Sequence, residues 1–182
     1  MKFQSIKKLV MLALTVTAFV SCNNGPTLQT YYVDNELKPG FTTFDIPTSF
    51  IDLDKVELSE QQEKAYNSIN KLNVIAFKLD DKNADAYKVE LKNVKTILKN
   101  PKYEDLMRGG NTTDGKFLVK FLGDIENIDE LIILGNANDK GFMVARILGD
   151  DMNANDLVSL GTVMDKIDFE DTEINGFTDF FK

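Results

Sequence analysis

The sequence KFLVKFLGDIENIDELIILGNANDKGFMVARIL, residues 116–148, determines the fold. Its three apolar runs predict β-strands at residues 116–122, 130–134 and 141–148. In the first run Phe117, Val119 and Phe121 fall on one face, because successive side chains of a strand point to opposite faces. Short joins rich in Gly, Asn and Asp separate the runs and force neighbouring strands to run antiparallel. A C-terminal strand meander therefore organises the domain.

Elements upstream and downstream of this meander extend the sheet and supply helices. Further strands are predicted at residues 42–46, 74–79 and 103–108. The pattern Ser59-Glu-Gln-Gln is a capping box that predicts a helix to about Leu72, with Tyr66, Ile69 and Leu72 on one face. Two more helices are predicted at residues 85–99 and 154–166. We expect one α+β domain with an antiparallel or mixed sheet, covered on one face by about three helices.

The N-terminus has the pattern of a secretion signal. A short basic head, residues 1–8, precedes an apolar run at residues 9–19. That run is shorter than the ~20 apolar residues that a spanning helix needs, and it has the length of a signal-peptide core. The next residues, Phe19-Val-Ser21-Cys22, resemble the lipobox of bacterial lipoproteins. This resemblance implies cleavage between Ser21 and Cys22 and lipid attachment to Cys22, the single cysteine of the chain. An ordinary signal peptide that contains a chance cysteine is the alternative.

The chain accordingly divides into four segments. We expect a signal peptide at residues 1–21, a lipid-anchored tether at 22–40, the α+β domain at 41–167 and an acidic aromatic tail at 168–182. Two or more acyl chains hold a protein on a bilayer stably, which makes the membrane the first expected partner. No acidic cluster follows Cys22, whereas some surface-exported lipoproteins carry one. Its absence favours the periplasmic face of the outer membrane.

The composition excludes several classes of function. The 182 residues include 29 acidic and 21 basic side chains, a net charge of −8 that phosphate backbones repel, so we expect no nucleic-acid partner. The chain has no His, which rules out Ser-His-Asp and Cys-His catalysis and His-ligated zinc. We therefore expect a protein that is not an enzyme and uses no cofactor. A carboxylate-dependent glycan hydrolase remains an alternative, because acidic residues are abundant.

Two acidic loops partly match the pattern of a calcium site. Asp81, Asn83 and Asp85 occupy the first, third and fifth positions of a calcium loop, but the twelfth position holds Lys92 where a bidentate Glu is needed. A second loop, which begins at Asp151, has the same defect. We interpret both loops as polar segments that cap the following helices, and we predict no metal site. A small-ligand or metal-binding lipoprotein stays open as an alternative function.

Two groups of residues are candidate interaction sites. Arg146 lies within an apolar strand, either as a charge on the open face of a half-covered sheet or as a contact for an anion or partner, with Lys120 nearby if the strands pair. In the acidic tail Phe177, Phe180 and Phe181 either fold back on the core or dock on a partner. These five residues are the predicted contacts of an envelope protein partner.

Four short stretches resemble a known family. They begin at Tyr103 (YEDLM), Asp114 (DGK), Ile128 (IDELIIL) and Met143 (MVARILG). They are similar to the strand meander of domain-of-unknown-function family 4252, a group of short Bacteroidetes lipoproteins, and the resemblance covers roughly residues 28–164. It implies an envelope location and no assigned activity. Together with the residues above, it favours a lipid-anchored, non-catalytic module that binds a partner in the cell envelope.

Overall fold

A computed structural model describes residues 25–48, 56–113 and 115–163. Within these residues the chain forms four helices and six strands. In chain order they are α1 (Leu28–Asn35), β1 (Phe41–Pro47), α2 (Glu60–Ser68), β2 (Ile69–Lys78), α3 (Ala84–Ile97), β3 (Glu104–Gly110), β4 (Gly115–Asp124), β5 (Asn127–Ala137), β6 (Gly141–Met152) and α4 (Ala154–Gly161). The predicted α+β class is confirmed.

All six strands join one sheet in the order β1-β2-β6-β5-β4-β3. Every neighbouring pair runs antiparallel, so of the two predicted sheet types the antiparallel one is present. Strands β3 to β6 form the expected meander, in which each strand pairs with the next. The meander joins the two N-terminal strands through β6, which lies between β5 and β2.

Helices pack on both faces of the sheet, whereas we expected about three on one face. On the first face, Ile75, Ile132 and Val144 are buried beneath α1 and α3. On the second face, Phe121 and Leu131 pack against α4, which in turn packs against α2. The expectation missed this because strands β2, β4, β5 and β6 are apolar on both faces, and a sheet with two apolar faces needs cover on both.

Helix α1 corrects the predicted tether at residues 22–40. Thr27 and Thr30 form a capping box, with the Thr30 N–H 3.1 Å from the Thr27 hydroxyl. Leu28, Tyr31 and Tyr32 are buried in the core of the first sheet face. Their i, i+3, i+4 spacing is that of an amphipathic helix, so the signal was present in the sequence. This part of the chain belongs to the domain.

The first predicted helix begins at the expected residue but ends early. Its capping box is confirmed, since the Ser59 N–H donates to Gln62 Oε1 at 2.9 Å. The helix was predicted to reach Leu72, but it stops at Ser68, and Ile69 and Leu72 belong to β2. Their pairing with β1 and β6 supplies sheet hydrogen bonds that replace the helical ones. At the other end of the domain, α4 ends at Gly161, short of the predicted residue 166.

Replacing Leu28 with Ala tests whether α1 belongs to the core. Leu28 is 2% exposed, and removing a buried leucine side chain destabilises a domain by about 2–5 kcal/mol through lost burial and the cavity left behind. The control is Leu37→Ala, because Leu37 is 93% exposed and should change the free energy of unfolding by less than about 0.5 kcal/mol. Urea denaturation measures both. Equal stability of the two variants would restore the tether interpretation.

Candidate functional site

The structure buries Arg146 instead of exposing it. The side chain lies on the first sheet face, where its Nε donates to Glu130 Oε1 at 2.6 Å and its Nη1 donates to Gln29 Oε1 at 2.7 Å. Arg146 as a whole is only 4% exposed. Gln29 belongs to α1, the helix that replaces the predicted tether. The prediction that Arg146 contacts a partner on an open face is therefore wrong, because α1 covers that face.

Lys120 shares a row of the sheet with Arg146 but has different partners. Both residues pair with Ile132, one from each side, which places their side chains on the same face. Their strands do not pair with each other, since β5 separates them by two strand spacings, about 10 Å. Lys120 forms an ion pair with Asp105 of β3. The two cations therefore do not form a joint anion site.

Lys120 instead belongs to a cleft between the C-terminal end of α3 and the outer strands β3 and β4. The cleft has a volume of about 610 Å³. Five cationic side chains line it, with Asp105 as the single carboxylate; we call it the basic cleft, defined by Lys95, Lys99, Arg108, Lys116 and Lys120. Apolar side chains complete its wall: Leu98, Tyr103, Phe117, Leu118 and Leu134. This local excess of positive charge is notable in a chain whose net charge is −8.

Strand β3 forms the outer wall of the basic cleft. Gly109 pairs with Phe117, and a side chain at Gly109 would lie 2.6 Å from the Phe117 ring, so the ring lies across the glycine. Gly110 has φ +101° and lies against the backbone of Gly115, so a larger residue there would be strained. The two glycines allow β4 and its aromatic side chain to approach the edge strand closely.

Tyr103 connects the basic cleft with the start of α1. The residue is 4% exposed, and its hydroxyl oxygen accepts the Leu28 N–H at 3.5 Å. The ammonium of Lys102 lies 4.8 Å above its ring, a cation–π contact. The point at which the N-terminal segment enters the domain is thus next to the cleft.

Asp105 pairs with only two of the five cations that line the cleft. Asp105 contacts Lys120 and also pairs with Arg108, whose Nη2 lies 2.8 Å from Oδ2. The hydrogen bond from Lys120 and the charges of the two cations lower the pKa of Asp105. Lys95, Lys99 and Lys116 form no ion pair with the carboxylates in the described part of the chain. These exposed cations are available to an anionic ligand.

Replacing Lys120 with Met should raise the pKa of Asp105 toward its ordinary value of 3.8, because the hydrogen bond from Lys120 is the largest cause of the lowered pKa. A carboxyl with a lowered pKa stabilises the fold above its unfolded pKa, and this stabilisation is lost as the pH falls through the folded value. NMR titration of the Asp105 carboxyl measures the change. Arg108→Met serves as the control and should raise the pKa of Asp105 less, because the charge of Arg108 lowers that pKa less than Lys120 does. An unchanged pKa in Lys120→Met would contradict this account.

The two calcium-like loops use their polar atoms locally. Asn83 accepts the Asp80 N–H at 2.9 Å and donates to the Lys78 carbonyl at 2.8 Å, but its side chain does not cap α3. Asn153 does cap α4, through the Asn155 N–H at 2.9 Å. The capping interpretation is therefore confirmed for the second loop and wrong for the first. Among residues 25–48, 56–113 and 115–163, no cluster of three or more His, Cys, Asp or Glu could hold a metal ion.

Sequence reasoning missed most of the basic cleft. It identified Lys120, but not Lys95 of α3 or Lys99 just after that helix, nor Arg108 and Lys116 of the outer strands. One signal was present: lysines recur along α3 at helical spacing, which places several on one side. The remaining cations meet them only because β3 and β4 lie at the sheet edge beside the end of α3. That arrangement depends on the tertiary structure, so no short stretch of the sequence predicts it.

The other predicted sites lie outside the described residues. They are Ser21, Cys22, Phe177, Phe180 and Phe181. None of the helices that the structure describes combines the length and the apolar character needed to cross a lipid bilayer.

Comparison with known proteins gives one match. The model of a family described as a domain of unknown function, DUF4252, matches residues 32–160. This confirms the resemblance inferred from the strand motifs. No curated protein and no solved structure matches the chain.

Proposed function

The chain belongs to the DUF4252 family, and from its N-terminal sequence and its basic cleft we propose that it is a lipid-anchored protein of the bacterial cell envelope. Its domain binds an anionic, partly apolar component of the envelope and does not transform it chemically. The cleft is the observation that carries the binding role. The signal-like N-terminus and Cys22 support the anchor.

The sequence before α1 supports anchoring close to the membrane. Only residues 23–27 separate Cys22 from Leu28, the first residue of α1. A fully extended chain advances about 3.5 Å per residue, so Leu28 lies within about 20 Å of Cys22 in any conformation. A lipid on Cys22 would therefore hold the folded domain at the bilayer surface.

The chemistry of the basic cleft supports an amphiphilic anion as ligand. Lysine ammonium groups and the Arg108 guanidinium bind phosphate or carboxylate oxygens through charge-assisted hydrogen bonds. The apolar wall, with Leu98 and Leu118, can cover a hydrocarbon portion of the same molecule. Mostly apolar lining with a few charged groups is typical of small-molecule sites.

The available side chains favour binding over catalysis. The chain contains no His, and its single Cys is the one assigned to the anchor. Lys120, the buried lysine of the described residues, directs its ammonium to Asp105 instead of presenting a free amine to a ligand. No nucleophile next to a general base lines the cleft.

Metabolic labelling with an alkyne fatty acid tests the anchor. We expect label on the intact protein and recovery in the membrane fraction, with both the label and signal-peptide cleavage lost in Cys22→Ala. The variant should keep its fold, because Cys22 precedes the described domain. Label that persists in Cys22→Ala would overturn the anchor assignment.

A thermal-shift titration with decyl phosphate, used below its micelle concentration, tests the ligand class. Binding to the native state raises the free energy of unfolding by about 2.7 kcal/mol at a ligand concentration of 100 times Kd. The rise should be abolished in Lys99→Glu/Lys116→Glu. It should persist in Lys64→Glu/Lys71→Glu, which makes the same change of charge outside the cleft. No stabilisation of the intact chain, or equal stabilisation of both variants, would overturn the assignment.

A further inference from the structure

The basic cleft and the N-terminal end of the domain are adjacent. Tyr103 lines the cleft, and its hydroxyl oxygen accepts the N–H of Leu28 at 3.5 Å. Leu28 is six residues from Cys22 in the chain, within about 20 Å of it. If Cys22 is lipidated, the cleft is therefore within reach of the same leaflet that holds the acyl chains.

Charge is distributed unevenly along the strands of the sheet. Lys116 pairs with Asn136 at one end of β5, whereas Ile128 at the other end pairs with Met152 of β6. Asp150 and Asp151 lie at that second end, beside Glu60 and Glu63 of α2. From Asn136 back to Ile128 the strand rises roughly 25 Å. Lys116 therefore lies far along the sheet from this cluster of carboxylates.

An anionic bilayer would orient such a domain. Basic side chains are attracted to a negatively charged lipid surface over about one Debye length, and acidic ones are repelled. Because Leu28 lies beside Tyr103 of the cleft, the anchor and the exposed cations both draw the basic cleft toward the bilayer. Lys95, Lys99 and Lys116 are exposed there and are not paired with carboxylates of the described residues.

We propose that the basic cleft holds the phosphate headgroup of an anionic phospholipid from the leaflet that carries Cys22. This inference rests on the proposed function and names the ligand of the same site. Lys95, Lys99 and Lys116 contact the phosphate oxygens, and the apolar wall at Leu98 and Leu118 receives the upper part of an acyl chain.

Lysine labelling of the full lipidated chain in vesicles tests this placement. The chain is reconstituted in phosphatidylcholine, or in an equal mixture of phosphatidylcholine and phosphatidylglycerol, and an amine-reactive reagent is followed by mass spectrometry. We expect Lys95, Lys99 and Lys116 to react severalfold more slowly in the mixed vesicles. Lys64 and Lys71, which lie outside the cleft, should react equally in both. In Lys99→Glu/Lys116→Glu the protection of Lys95 should disappear.

Two further samples distinguish a lipid headgroup from a soluble anion or an acidic peptide as the occupant of the cleft. Glycerol 3-phosphate or a poly-glutamate peptide is added to the phosphatidylcholine sample. Protection by either one, without protection in mixed vesicles, would overturn the headgroup assignment and show a soluble anion or an acidic protein segment as the occupant, while the proposed function stands. Protection in no arm, or an unlipidated Cys22, would overturn the inference. The decyl phosphate titration then decides the proposed function separately.

Discussion

Replacing Arg146 with Ala is expected to destabilise the domain by about 3–5 kcal/mol. Arg146 and Glu130 are 4% and 7% exposed, and their side chains form an ion pair at 2.6 Å. Removal of the guanidinium leaves the Glu130 carboxylate buried without its partner, which is the costly case for a buried pair. The change also removes the hydrogen bond from Arg146 to Gln29 of α1. Urea denaturation monitored by circular dichroism measures the loss.

The double variant Arg146→Met/Glu130→Leu tests whether the loss of stability in Arg146→Ala comes from the unpaired Glu130 carboxylate. Replacing both charges by apolar side chains of similar size is often neutral, so most of the lost stability should return. Lys88→Ala is the control at an exposed pair, because the Lys88 and Asp85 side chains are 72% and 98% exposed and such pairs contribute about 0–1 kcal/mol. A double variant as unstable as Arg146→Ala would contradict our account of an orphaned carboxylate.

Replacing Phe142 with Ala is expected to cost about 3–5 kcal/mol. Phe142 is fully buried on the central strand β6. Its ring stacks on Phe77 of β2 with centroids 5.8 Å apart, and the Tyr87 ring of α3 lies 6.1 Å away. The truncation therefore opens a cavity where two strands and a helix meet. A thermal or urea melt of the purified protein gives the magnitude.

Phe117→Ala is the matched control for this truncation. Phe117 is 42% exposed and lies across Gly109 at the sheet edge, so its loss leaves no enclosed cavity. We expect a much smaller change in the free energy of unfolding, together with weaker binding of decyl phosphate, because Phe117 lines the basic cleft. Equal destabilisation by the two substitutions would show that the core is not centred on Phe142.

Much of the fold could be predicted because the controlling signals are local. The alternation in residues 116–122 and the short joins after it identify the meander without tertiary information. The Ser59 capping box determines the start of α2 to the residue. The end of α2 could not be found in this way, because Ile69 and Leu72 fit a helical stripe as well as they fit a strand. Sheet pairing decides between the two.

The candidate site was predicted less well, and for a physical reason. A charge in an apolar strand, such as Arg146, has the same sequence signature whether it faces solvent or a buried carboxylate. Its state depends on α1, which is distant in sequence. The basic cleft likewise combines cations from α3, β3 and β4 that become neighbours only in the folded sheet. Burial and charge clustering are properties of the tertiary structure.

The central position of β6 has a consequence for the order of folding. This strand is synthesised last of the six, yet it joins β2 to β5. Without residues 141–152, the β1–β2 pair and the β3–β5 strands have no strand between them. Pairing of β6 with β2 joins residues that are far apart in the sequence, so it must close a large loop. The sheet therefore cannot be completed before β6 is available to pair with both β2 and β5.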